Sequence, residues 1–311
     1  MAVSEASLEE KSSLANERAG LLYGLLGVFS FSLTLPATKV ALFSLSPLSV
    51  GLGRALVAAM LAALVLWIKR VPFPNKQQIG QILIVSLGVV LGFPFFSAWA
   101  MERVPASHGA VLIALLPLAT AGAAAFYSGE RPSRMYWISS CIACLAIVGY
   151  AFQSGLGALQ WADLALFAAV LSAAVGYAVG GELSRTLGGW QVISWSLVFA
   201  FPVLVFPVGG PLLQELQTAS WPAWLGFGYV SVISQFLGFF AWYHGLAIGG
   251  VARVGQTQYL QPFLTILASW LLLAETITLG AVAAAAIVVL AVAKGRNAAI
   301  SQARSSRRLS R

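Results

Sequence analysis

Two basic side chains, Lys39 and Arg54, stand within or beside long apolar runs of this 311-residue chain. An ionisable group inside a membrane is expensive and marks a functional site by default. Lys39 falls near the end of its run and can reach the surface along its aliphatic stem. Arg54 lies about two turns into the next run. Its planar fork suits either a solute carboxylate or backbone carbonyls freed by a kink. His108 and His244 are the other titratable candidates. His244 follows Trp242 and Tyr243 and can face a cavity, although either histidine reads equally as a polar packing group. Tyr and Trp carry a polar tip that wants a partner. Phe95, Trp99, Tyr177, Trp195, Tyr243 and Tyr259, with Ser97, Gln235, Gln256, Gln258 and Gln261, form a set able to line a mostly apolar, uncharged pocket. Such a pocket takes a neutral or zwitterionic amphipathic solute. It suits a sugar phosphate poorly, because phosphate recognition favours clustered Lys or Arg.

Carboxylates are absent from the helix centres. Glu102 and Asp163 fall at helix ends, and Glu182 sits one turn from Arg185. Proton-driven carriers commonly use an intramembrane acid relay, so facilitated export stands beside proton antiport. The two cysteines, Cys141 and Cys144, read as small apolar side chains one turn apart. No second pair exists to complete a zinc site. No catalytic residue, metal or cofactor is expected. An intramembrane enzyme would need a nucleophile and a base within reach, and neither HExxH nor GxSxG occurs.

The elements that must position these residues follow from composition. With 59% hydrophobic and 9% charged residues and a mean hydropathy of +0.86, the chain cannot coat itself for water, and its solvent is lipid. Gly, Pro and charged residues divide it into ten apolar runs, near 19–42, 47–68, 78–101, 105–127, 133–153, 161–184, 189–208, 222–247, 250–273 and 277–294. None alternates with the period of two that a β-barrel requires. The spacing predicts an all-α integral membrane protein of ten transmembrane helices. Polar tails flank it at 1–18 and 295–311.

With a cytoplasmic N-terminus, fifteen Lys and Arg fall inside and only Arg103 outside, a strong positive-inside pattern. Both tails are then cytoplasmic. The net charge of +8 therefore reports membrane orientation, not nucleic-acid binding. Trp67, Trp137, Trp190 and Trp221 near helix ends read as interface anchors. The expected partners are the bilayer and a small-molecule solute. The oligomeric state is left open, with a monomer sufficient.

Pro117 and Glu130 lie thirteen apart, as do Pro262 and Glu275, and the two pairs are offset by 145 residues. The offset divides the chain into five-helix halves, 19–153 and 161–294. An odd number of helices per half makes the second enter upside down, an inverted-topology repeat around a central cavity. Glu130 and Glu275 then fall on opposite faces. Each is expected to stand before the N-terminus of the next helix, where orphan amides await it, with Ser133, Thr276 and Thr278 as nearby caps.

The segment from FLGFFAWYHG to AAAAIVVLAV resembles the second repeat of the EamA-type drug/metabolite transporters. TLPATKVALFSLSPLSVGLGRALVAAM and LLPLATAGAAAFYSGE are similar to its first repeat. Lys39, Pro47 and Arg54 match the family's Lys, Pro and Arg, and Pro117, Glu130, Pro262 and Glu275 match its repeat-ending Pro and Glu. The resemblance covers all but the tails. It implies a ten-helix fold in a bacterial-type plasma membrane and export of small metabolites. It leans to the amino-acid exporters, the aromatic branch included. A multidrug or nucleobase-type exporter of the same superfamily is the alternative. A non-transporting scaffold has no need of inverted halves.

Overall fold

The computed structural model describes residues 2–128, 134–154, 160–291 and 294. Among them all regular structure is helical. Seven runs are long and apolar enough to cross a membrane: Arg18–Ala41, Ser49–Ile68, Lys76–Met101, Ala106–Tyr127, Trp161–Leu187, Gly189–Thr218 and Trp221–Gly249. The other three expected runs are helical but shorter or broken. One has its apolar stretch at Trp137–Tyr150, one is interrupted within 251–273, and one spans Leu279–Ala291. The first helix begins at Ala2, so the segment expected as a tail is helical. The helix Gly189–Thr218 extends ten residues past its expected end at 208, with Pro202, Pro207 and Pro211 inside it.

In the first half, each change of helix geometry lies within a few residues of a proline, Pro36, Pro47, Pro94 or Pro117. A proline removes the amide that would bond four residues back. The first helix divides at Leu33 into α1 (Ala2–Ser32) and α2 (Thr34–Ala41). Pro36 frees the carbonyl of Ser32, and the Thr265 hydroxyl donates to it at 2.8 Å. Pro47 precedes a π segment, Ser49–Gly53, which leads into α3 (Arg54–Ile68). α4 (Lys76–Val85) passes through a second π segment, Ser86–Gly92, into α5 (Phe93–Met101), with Pro94 at its start. α6 (Ala106–Ile113) and α7 (Leu116–Ser128) are separated just ahead of Pro117.

α8 (Arg134–Ser154), α9 (Trp161–Leu187) and α10 (Gly189–Thr218) are unbroken, and after them two of the four breaks recur at the same register. α11 (Trp221–Gly228) runs through a π segment, Tyr229–Leu237, into α12 (Gly238–Gly249). α13 (Val251–Val254) gives way to a 3₁₀ segment, Gly255–Leu260, and then α14 (Gln261–Leu273). The last helix is α15 (Leu279–Ala291). Residues 110–115 become 255–260 on adding 145, so the break before Pro117 has its counterpart in the 3₁₀ segment before Pro262. π segments cluster at functional sites.

The outward faces are apolar. Leu22, Met60, Trp67, Leu87, Leu171, Phe206 and Leu213 are all exposed, as a lipid-facing surface requires. Inside, helices approach through glycine. A Cβ on Gly20 would meet the Cα of Gly249 at 2.6 Å, and one on Gly245 would meet the amide of Gly24 at 2.9 Å. The start of the spanning part of α1, from Arg18, and the end of α12 therefore pack backbone to backbone, antiparallel. Gly249→Val is expected to lower the melting temperature in detergent by forcing these helices apart, at a cost of about 1–3 kcal/mol. An unchanged melting curve would show that this contact tolerates separation.

Candidate functional site

The helix breaks meet around a central cavity. Its wall takes Phe31, Thr34 and Leu35 from either side of the Leu33 break, Arg54 just after its π segment, and Val89 and Phe93 around the second one. Ile113, Tyr177, Ser234, Gln235, Phe239 and Gln261 complete it. Every wall element except α9, which carries Tyr177, is irregular within a few residues of the cavity. The cavity volume is about 20 Å³, room for about one water molecule, so in this state the wall is closed down and a larger solute enters only when the helices part.

Arg54 is the cavity's charge. It is 1% exposed, its Nε has no hydrogen-bond partner within the protein, and among the described residues no carboxylate pairs with it. An isolated buried charge is strongly disfavoured, so a guanidinium held this way can pair with an anion that reaches the cavity. Around it the wall is aromatic. Phe31 and Phe239 lie 4.8 Å apart between centroids, and Tyr177 is 6.0 Å from Phe239. The uncharged polar groups are oriented. Gln235 Nε2 donates to the Val89 carbonyl at 3.3 Å, which leaves its Oε1 as an acceptor. The Thr34 and Ser234 hydroxyls bond to each other at 2.7 Å.

Of the residues expected at a site, Arg54, Tyr177, Gln235 and Gln261 come together here. Others fall elsewhere. Lys39 Nζ donates to the carbonyls of Met101 at 3.0 Å and Val104 at 2.6 Å, beyond the cavity. Trp99 lies under the Arg103 guanidinium, 3.8 Å from its ring centroid. His244 is exposed and meets Tyr23 edge to face at 4.6 Å. Tyr243 is buried and donates to the Gly176 carbonyl at 3.1 Å, and Ser97 donates to the Pro94 carbonyl at 3.3 Å. Gln258 is buried outside the wall. Lys39 acts as a staple between helix ends. Lys39→Met is expected to lower the melting temperature while leaving solute affinity unchanged. Lost affinity at intact stability would return Lys39 to the site.

One end of the bundle is knitted by carboxylates, in an arrangement absent from the sequence reading. Glu275 does not serve the helix that follows it. Its Oε1 accepts the Ala106 amide at 2.8 Å, and its Oε2 accepts the Ser107 amide at 2.9 Å and the Ser107 hydroxyl at 2.7 Å. It thus caps α6, whose preceding Pro105 offers no side-chain cap. Thr278 caps α15 instead, accepting the Ala281 amide at 3.2 Å. Next along α6, His108 Nε2 meets Asp163 Oδ1 at 2.6 Å, with both side chains buried. Glu215 accepts the Ser46 amide at 2.8 Å nearby. Glu130 and Ser133 lie outside the described residues.

Long apolar helices broken around a buried arginine, with no carboxylate paired to it among the described residues, are an architecture that membrane transporters use. The chain belongs to the EamA-like transporter family, whose pattern matches residues 18–152 and again residues 160–293. It is 40% identical over 282 residues to the uncharacterized transporter YdeK of Bacillus subtilis (strain 168), covering 89% of this chain and 96% of that one. A probable terminal-alkyne amino-acid exporter of Streptantibioticus cattleyicolor is 25% identical over 256 residues, covering 80% of this chain and 84% of that one. A solved crystal structure superposes with a TM-score of 0.61 over 92% of this chain and 99% of the other, at 16% identity, which bears on the fold alone.

Proposed function

We propose that this transporter exports small zwitterionic solutes, neutral and aromatic amino acids foremost, by alternating access. The observation that carries the proposal is Arg54, a buried guanidinium in an aromatic cavity, its Nε without a partner and no carboxylate beside it among the described residues. A carboxylate supplies the missing counter-charge through a bidentate pair. The Gln235 Oε1 accepts from an ammonium group, and the rings of Phe31, Tyr177 and Phe239 receive an apolar side chain. A cationic drug gains no such counter-charge and is repelled by Arg54.

The double match of the family pattern and the breaks repeated at an offset of 145 support two inverted halves rocking about this cavity. Arg18, Lys69, Arg70, Lys76 and Arg185 gather at the end of the bundle away from Glu275. That asymmetry supports a cytoplasmic N-terminus and C-terminus in the plasma membrane. The described cavity wall holds no carboxylate, which fits export down a gradient without proton exchange.

Purified protein in liposomes loaded with labelled phenylalanine, threonine or methionine provides the test, with adenine and ethidium in parallel vesicles. At least one amino acid is expected to leave faster than from empty vesicles. If all three stay at the background rate while adenine or ethidium moves, the amino-acid assignment is lost to the nucleobase or multidrug alternative.

A further inference from the structure

Thr120 Oγ1, Trp242 Nε1 and both amide atoms of Gln258 are buried and have no hydrogen-bond partner within the protein. Their levels along the bundle can be read from helix contacts. At the cavity, Phe31 of α1 packs on Phe239 of α12. Going back along α1, a Cβ on Gly27 would touch Trp242, and one on Gly24 would touch Thr257. Trp242 and the 3₁₀ segment therefore lie beyond the cavity, toward the start of α1.

Residues three apart eclipse in a 3₁₀ helix. Gln258 thus shares the face of Gln261, which lines the cavity, and stands one turn further out. α6 packs on α14 and α7 packs on the 3₁₀ segment, so the two broken runs are antiparallel. Ile113 lines the cavity, and Thr120 comes about two turns later at helical spacing. It lies toward the same end as Gln258. Three orphaned polar side chains from three helices thus stand beyond one side of the site.

A buried amide with all its hydrogen-bonding capacity unused is costly in a resting structure, and it calls for an explanation. We propose that Gln258, with Thr120 and Trp242, forms a second hydrogen-bonding station on the solute's path. It lies between the Arg54 cavity and the membrane face at the start of α1. The station takes the zwitterionic head of an α-amino acid. The Gln258 carbonyl and the Thr120 hydroxyl accept from the ammonium group. The Gln258 amide and the Trp242 indole donate to the carboxylate. Lacking charge, the station holds its solute more weakly than Arg54 does, and conduction requires sites weak enough to leave. This inference rests on reading the Arg54 cavity as an amino-acid site.

Gln258→Leu tests it. The ligand-free variant is expected to melt higher than wild type, because an orphaned amide is gone. The thermal shift given by L-phenylalanine at the Arg54 cavity stays. Efflux of L-phenylalanine from proteoliposomes falls by about tenfold, the effect of one lost hydrogen-bonding group on a barrier. A lower melting temperature, or efflux at the wild-type rate, overturns the station.

A second measurement needs no solute. Gln258→Cys, made in a chain carrying Cys141→Ala and Cys144→Ala, is treated with a membrane-impermeant methanethiosulfonate from the face at the start of α1. Reaction of the introduced thiol is expected, since the path opens there during the cycle. No reaction overturns the proposal. Should wild-type protein neither bind nor move any amino acid, the assignment of the Arg54 cavity falls by itself. The labelling result then still decides whether Gln258 borders an aqueous path.

Discussion

Arg54→Met removes solute binding and at the same time raises the melting temperature of the empty transporter. The two effects share one cause. Arg54 is buried with its Nε unpartnered and no described carboxylate beside it, so the empty state bears an uncompensated charge. Methionine fills a similar volume with a flexible apolar chain and relieves that cost. The bound state loses a charge-assisted pair worth about 1.5–3 kcal/mol, or roughly tenfold to a hundredfold in affinity. The measurement is a thermal-shift titration with L-phenylalanine, because a ligand that binds only the folded state raises its apparent stability. Wild type should show a low baseline and a concentration-dependent rise, and the variant a higher baseline and no rise. A structural arginine gives the reverse baseline, a lower melting temperature, because its carbonyl partners would be stranded. That outcome would move the carboxylate site elsewhere.

The helical membrane fold was legible because lipid imposes it. Long apolar runs, punctuating prolines and the offset of 145 are one-dimensional features. Arg54 was legible for the same reason, since an arginine two turns into an apolar run has nowhere neutral to go. The set around it was only half legible. Tyr177, Gln235 and Gln261 were singled out by side-chain chemistry, but so were Phe95, Trp99, Trp195, Tyr243, His244, Ser97 and Gln258, which lie outside the cavity wall. Telling these apart needs the rotation of each helix, and the π segments at 49–53, 86–92 and 229–237 shift that rotation in ways no periodic count follows. Thr34 and Ser234 were missed because each becomes distinctive only through the other, 200 residues away. Glu275 carried a correct instinct with the wrong partner. It does meet orphan amides at a helix start, but those of α6, 169 residues earlier in the chain.

Asp163→Ala is expected to cause the largest loss of stability of any single change at the Glu275 end. Asp163 Oδ1 pairs with His108 Nε2 at 2.6 Å, and Oδ2 accepts the Gln160 amide at 2.8 Å. Removing one partner of a buried pair costs about 3–5 kcal/mol, because the other is left buried and alone. Asp163→Asn should cost less, since its carbonyl oxygen still accepts from an imidazole N–H. Adding His108→Ala to Asp163→Ala should return part of the loss. A cycle of the two single variants and the double then isolates the pair's coupling. Glu275→Ala, which strands two amides and a hydroxyl, belongs to the same test. Both carboxylates come from the second half of the chain and hold the first turn of α6 in the first half. If the halves rock, this clasp must part whenever the cavity opens toward Glu275. Weakening it should therefore do more than lower the melting temperature. A cysteine introduced by Thr34→Cys in the cavity wall should react faster with a thiol reagent added from the Glu275 face when Asp163→Ala or Glu275→Ala is also present. Lower stability with unchanged labelling would make the clasp a fixed strut, and the moving boundary between the halves would have to run elsewhere.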